Sequence, residues 1–186
     1  MIRIKLMRSL IFTLTSVAIV ILASYSVYAA SAAEINARVD ATLSKFYKEV
    51  PEAKKLAKIA SGILVFPSII KAGFGIGGEY GEGAFRIGGK SVDYYSTAAV
   101  SIGFQLGAQS KAVILMFMNK KALNDFRDSS GWEIGVDGSV ALVKIGVGGS
   151  IDTTNIKDPI IGFVFGQKGL MYNLTLEGSK MTKIKK

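Results

Sequence analysis

Cysteine and histidine are both absent from the 186 residues, and proline occurs only three times. Without cysteine there are no disulfides and no thiolate chemistry. Without either residue, most zinc, copper and haem ligation is excluded. The lack of histidine also removes the commonest general acid and base. Lipid attachment at a cleavage-site cysteine is excluded on the same ground. Charged residues make up 20% of the chain and apolar residues 49%, a globular balance and not a disordered one.

What is abundant is glycine, 21 residues of it. Much glycine with little proline points to strands that bend sharply or approach another layer closely, since flexible linkers usually carry both.

The chain opens like a secretory signal. Arg3, Lys5 and Arg8 precede an apolar run from Leu10 to Ala23, and small residues follow. Residues 1–29 are expected to be removed, with cleavage as late as Ala32 as the other option. An uncleaved anchor is the alternative, because Ser9 to Ala30 is nearly long enough to span a bilayer. Residues 34–186 then form a single domain large enough for one core. The formal charge is +9, and three of those charges belong to the leader. A basic exported protein meets anionic lipid head groups or polymers more readily than nucleic acid. The expected location is the periplasm or cell envelope, peripheral to the membrane.

Glu34 to Ala60 reads as helix. Ile35, Val39, Leu43, Phe46 and Tyr47 share one face, and Pro51 ends the first piece and opens a second. That second piece carries Lys54, Lys55 and Lys58 beside Leu56 and Ile59. From Gly62 the period becomes two. Ile63 to Phe66 reads as a short strand ended by Pro67, and a glycine-rich stretch follows from Ala72 to Gly89. Ala98, Val100, Ile102, Phe104 and Leu106 alternate with small residues, a strand with one bulky and one small face. Lys111 to Met118 reads as a buried central strand. Asn119 is placed to cap a helix from Lys120 to Arg127. Trp132 to Ala141 alternates again, Lys144 to Ser150 repeats the theme, and Asp152 to Pro159 is a polar loop. Ile160–Gly166 and Leu170–Leu176 suggest a hairpin. The tail from Lys180 is basic and expected to be mobile. The fold class is α+β, mainly β: a strongly curled, Gly-rich antiparallel sheet or partial barrel of seven to nine strands, packed with an N-terminal amphipathic helix and one short helix.

Residues that carry chemistry are few. Gly73 to Gly78 spells G-x-G-x-x-G, but more strand follows it where a dinucleotide site needs a helix. Glu79 and Glu82 point to opposite faces of a strand. Glu133 and Asp137 share a face, the ordinary place for solvated charge. Asp152, Asn155 and Asp158 lack EF-hand spacing. Asn173 lies in a glycosylation sequon, which matters only in a eukaryotic secretory route. No catalytic residue, metal site or cofactor is expected. The informative charges are lysines: Lys54, Lys55 and Lys58 on one helix, Lys71 before the glycine run, and the C-terminal group.

Several ordered motifs carry a family likeness. Gly62-Ile-Leu-Val-Phe-Pro67, Lys71-Ala-Gly-Phe-Gly-Ile-Gly-Gly78 and Gly81-Glu-Gly83 come first. Ser101 to Gln109, Gly166 to Leu170 and Leu176-Glu-Gly178 follow. Together they resemble SYLF domains, a family of lipid-binding and yeast-type actin-binding domains, from about Val39 to Ile184. The chain would be an exported, bacterial-type member. The resemblance implies phospholipid binding, phosphoinositides in eukaryotic relatives, through an amphipathic helix and nearby basic residues. On this chain those are Lys54, Lys55, Lys58 and Lys71. The expected function is peripheral binding of anionic membrane phospholipid without catalysis, and no small-molecule cofactor or nucleic acid takes part. The alternatives are a structural envelope protein, a small outer-membrane-type β-barrel, or a hydrolase of envelope polymers.

Overall fold

The computed structural model describes residues 30–143, 145, 157–168, 176 and 178–186. Ser31–Lys186 make one compact unit by themselves. The leader, Lys144, residues 146–156 and the return arm of the expected 160–176 hairpin lie outside the described residues, apart from Leu176.

Helix α1 spans Ala32–Glu49 and α2 spans Pro51–Ile59. The Ser31 hydroxyl accepts from the Glu34 N–H and so satisfies an orphan donor of the first turn. Pro51 sits where its missing N–H costs nothing, at the start of α2. The apolar stripe read from the sequence is the buried one: Ile35, Val39, Leu43 and Phe46.

Strand β1 runs from Gly62 to Ile87 and β2 from Lys90 to Phe117, paired antiparallel along their whole length. Gly88 and Gly89 join them with φ of 56° and 82°. Two positive φ values define the hairpin turn whose twist matches that of the strands, and glycine is the residue that adopts them without strain. The strand expected to end at Pro67 therefore continues. Pro67 and Ser68 fall in a register shift between Phe66 and Ile69, where no ladder N–H is required.

Two more shifts, at Phe74/Ile76 and Phe85/Arg86, bend the hairpin back on itself. The two arms of β1 then touch backbone to backbone. A Cβ on Gly83 would lie 2.2 Å from the Val65 carbonyl oxygen, and one on Gly81 2.7 Å from that of Ser68. Only glycine permits that approach.

The other edge of β2 takes two short partners. β6 (Lys180–Ile184) pairs with Tyr94–Ala98, and β5 (Ile160–Lys168) pairs with Ser110–Phe117. β3 (Trp132–Glu133) extends β6, and β4 (Ala141–Leu142) runs parallel beside β5. The sheet thus has six strands among the described residues. The result is a curled, mainly β α+β fold, as the sequence suggests.

Two expectations are corrected. The alternation from Trp132 to Ala141 does not yield one strand: Gly135 has φ 91°, its N–H donates to the Gly138 carbonyl, and the Asp137 carboxylate accepts from the Glu133 N–H. These bonds close a turn. The basic tail is likewise not loose, because β6 is laddered to β2 and Lys186 Nζ lies 2.9 Å from the Glu82 carboxylate.

The sheet has two covered faces. On one, Phe46 of α1 packs edge-on against Phe163 and Phe165, with ring centroids 5.1 and 5.3 Å away. On the other, Leu64, Phe66, Phe85, Tyr95, Leu115 and Phe117 form the main core. Helix α3 (Lys120–Asp128), capped by Asn119 as the sequence indicates, closes that core with Leu123 and Phe126. Among the described residues no helix is long and apolar enough to cross a membrane.

Candidate functional site

The main cleft lies where α1, α2 and the β1–β2 turn meet. It encloses about 560 Å³ and is lined by Asp40, Tyr47, Lys54, Lys58, Arg86 and the Gly88–Gly89 turn, among others. Its geometry follows from the chain path: α2 ends at Ile59, β1 begins at Gly62, and the hairpin turn returns beside that point.

Lys54 and Lys58 are four residues apart on α2, so they stand on one helical face. Lys55 is exposed on the same helix, a step round from them. None of the three takes part in an ion pair among the described residues. The remaining cation of the cleft is committed: Arg86 Nη1 is 2.6 Å from Asp40 Oδ1, and Nη2 donates to the Asn36 carbonyl. Burial pushes the Tyr47 hydroxyl above its ordinary pKa, and the positive charge of Arg86 offsets part of that rise. The cleft thus offers free ammonium groups, a phenol that stays protonated, and a wall of glycine backbone.

Lys71 does not join this group. It is 5% exposed and lies inside the folded-back hairpin. There Glu79 is shared between two lysines: Lys71 Nζ at 3.3 Å from one carboxylate oxygen and Lys111 Nζ at 2.9 Å from the other. The Lys111 contact is close enough for an ion pair but is not aligned as a hydrogen bond. Lys71 is therefore not available to a membrane surface in this arrangement. Two other acidic candidates are accounted for. Glu82 accepts from the Tyr80 hydroxyl and pairs with Lys186, and Asp137 closes the turn after β3. The glycine run that spells a nucleotide motif is strand on both sides.

Sequence reasoning missed Arg86, Tyr47 and the Gly88–Gly89 turn as parts of the cleft. A Gly-Gly pair between two alternating stretches is the signal that could have found the turn. No local signal brings Arg86 to Asp40.

Fold and site together define a curled, Gly-rich α+β domain with a lysine-bearing cleft under an N-terminal helix pair. Residues 98–186 match the model of the family described as Ysc84, Las17-binding protein actin regulator. That match agrees with the SYLF resemblance: the later motifs lie within the matched span, and the first glycine run precedes it. No curated protein matches the chain.

Proposed function

We propose that the chain is an exported phospholipid-binding protein that sits peripherally on anionic membrane surfaces and performs no catalysis. One observation carries this reading: Lys54, Lys55 and Lys58 stand exposed and without ion pairs on a nine-residue helix, two of them in the wall of the main cleft. Each such charge near an anionic surface is worth about 1 kcal/mol. The match of residues 98–186 to the model of an actin- or lipid-binding domain family supports it. The actin regulation in the family's description requires a cytoplasmic partner, which the leader argues against. A closed membrane barrel is disfavoured because α1 packs on one sheet face through Phe46.

The test is co-sedimentation of residues 31–186 with neutral and anionic vesicles across a salt series. Binding to anionic vesicles alone, weakening as salt rises, is the expected result. Changing Lys54, Lys55 and Lys58 together to Glu is expected to abolish it while leaving the thermal transition in place. Unchanged binding by that variant would remove the site from consideration.

A further inference from the structure

The far end of the β1–β2 hairpin has its side chains arranged the other way round from the base. At the base, bulky apolar residues point inward. At the tip, the inward positions hold Lys71, Glu79 and Lys111, and the outward positions hold the apolar residues. Ile70 is 56% exposed, Ile76 70%, Tyr80 53% and Val100 81%. Backbone register sets Val100 opposite Gly78, Ile102 opposite Ile76 and Leu106 opposite Phe74. The even-numbered positions from Ile70 to Tyr80 and from Ala98 to Ala108 contain no charged residue. Polar inside and apolar outside is the pattern of strands that face hydrocarbon, and it is costly for strands that face water.

The border of this surface has the chemistry of a membrane interface. Tyr80 is apolar toward the tip and donates its hydroxyl to Glu82, 2.9 Å away, on the side of the base. Lys180 is exposed and in register with Ala98, which faces Tyr80. An aromatic ring with a wet end, followed by a lysine, is how proteins mark the head-group level. The reach is also limited. The hairpin bends at Gly73–Gly77, where a Cβ on Gly73 would lie 2.2 Å from the Gly77 Cα. From Tyr80 to that bend is four or so residues, roughly 13 Å at strand rise, against a hydrocarbon half-thickness of about 15 Å.

We infer that the bent tip of the β1–β2 hairpin, presenting Ile70, Ile76 and Val100, embeds in the acyl region of one bilayer leaflet, with Tyr80 and Lys180 at its head-group boundary. This does not rest on the lysine cleft. The cleft adjoins Gly62 and Gly88–Gly89, at the opposite end of the same hairpin, so one bilayer need not engage both.

The absence of cysteine makes the test clean. Ile76→Cys, Val100→Cys and, as a control, Val136→Cys, which is 74% exposed and away from the tip, each carry one environment-sensitive fluorophore. The protein is residues 31–186, one compact unit. The vesicles are phosphatidylcholine with phosphatidylglycerol, with or without a quencher on the acyl chain. A blue-shifted, several-fold rise in emission at positions 76 and 100, quenched from the acyl chain and absent at 136, is the expected result. A Val100→Asp variant should lose vesicle binding at least several-fold with an unchanged thermal transition. Tip labels that stay silent while the protein co-sediments would overturn the inference and leave the lysine cleft as the docking site. Absence of any vesicle binding would overturn both. A rise in emission with protein concentration alone would overturn it in favour of a second copy of the chain covering the tip.

Discussion

The base and the tip of the β1–β2 hairpin are built from the same two strands, yet they solve opposite problems. At the base, Phe85 lies within 5.2 to 6.1 Å of the Phe117, Phe126 and Tyr95 rings, and burial of aromatic surface holds the two arms together. Toward the tip, Lys71, Glu79 and Lys111 hold the same arms by charge, and their packing is carried by glycine. A hydrophobic contact costs nothing to leave unpaired in direction. A buried ion cluster with two cations and one anion depends on every member. The base is therefore the source of stability, and the tip is a region where stability gives way to an exposed apolar surface.

Truncation at the two ends should separate them most. Phe85→Ala removes a fully buried ring from the main core, and a loss of about 3–5 kcal/mol is expected in urea unfolding. Val100→Ala at the tip should change stability by less than about 0.5 kcal/mol, because the side chain is exposed. Equal losses would mean that the tip is as tightly packed as the base.

Next in size is the ion cluster. Glu79→Gln leaves two buried ammonium groups without their counter-charge and should cost about 3 kcal/mol. Replacing Lys71, Glu79 and Lys111 together by Met, Gln and Met should recover most of that loss. A triple variant no more stable than the single one would show that the charges specify the bend itself.

Glycine substitutions give a smaller contrast. Gly83→Ala forces a methyl group against the Val65 carbonyl and should cost about 1–3 kcal/mol, whereas Gly78→Ala meets nothing nearer than 3.9 Å and should be close to neutral.

The remaining effect is alkaline. The Tyr95 hydroxyl is buried without a hydrogen-bond partner among the described residues, and desolvation, aided by Asp93, pushes its pKa from 10.0 to about 12. The folded state therefore holds this proton more tightly than the unfolded chain does. Its contribution is fully present below pH 10 and lost as pH rises from 10 toward 12. Tyr95→Phe should flatten that part of the urea midpoint profile while leaving the neutral range unchanged.

How much of this was legible in the sequence varied with the range of the interaction. The helices were readable because their signals are local: a 3.6-residue apolar stripe, Pro51 at a helix start, Asn119 as a cap. The curl was readable from glycine content. The long continuous strands were not, because Pro67 looks like a terminator unless the register shift that accommodates it is known. Trp132 to Ala141 looked like a strand because alternation does not report the positive φ of Gly135. Lys54, Lys55 and Lys58 were readable as spatial neighbours because a helix keeps neighbours in sequence together in space. Lys71 was misplaced because the fold-back that delivers Glu79 and Lys111 to it is set by three separated bends.

The placement of α1 has a consequence for how the chain comes into being. The helix is made before the sheet, yet Phe163 and Phe165, the rings that meet Phe46, follow it by more than a hundred residues. The β1–β2 hairpin can zip from its glycine turn without either. Until β5 arrives, Ile35, Val39, Leu43 and Phe46 form an apolar stripe with part of its cover missing. The earliest helix thus stays sticky, and its closing contact forms late. Assembly waits for β5, and a product truncated before it would leave that stripe open to holdases and to aggregation.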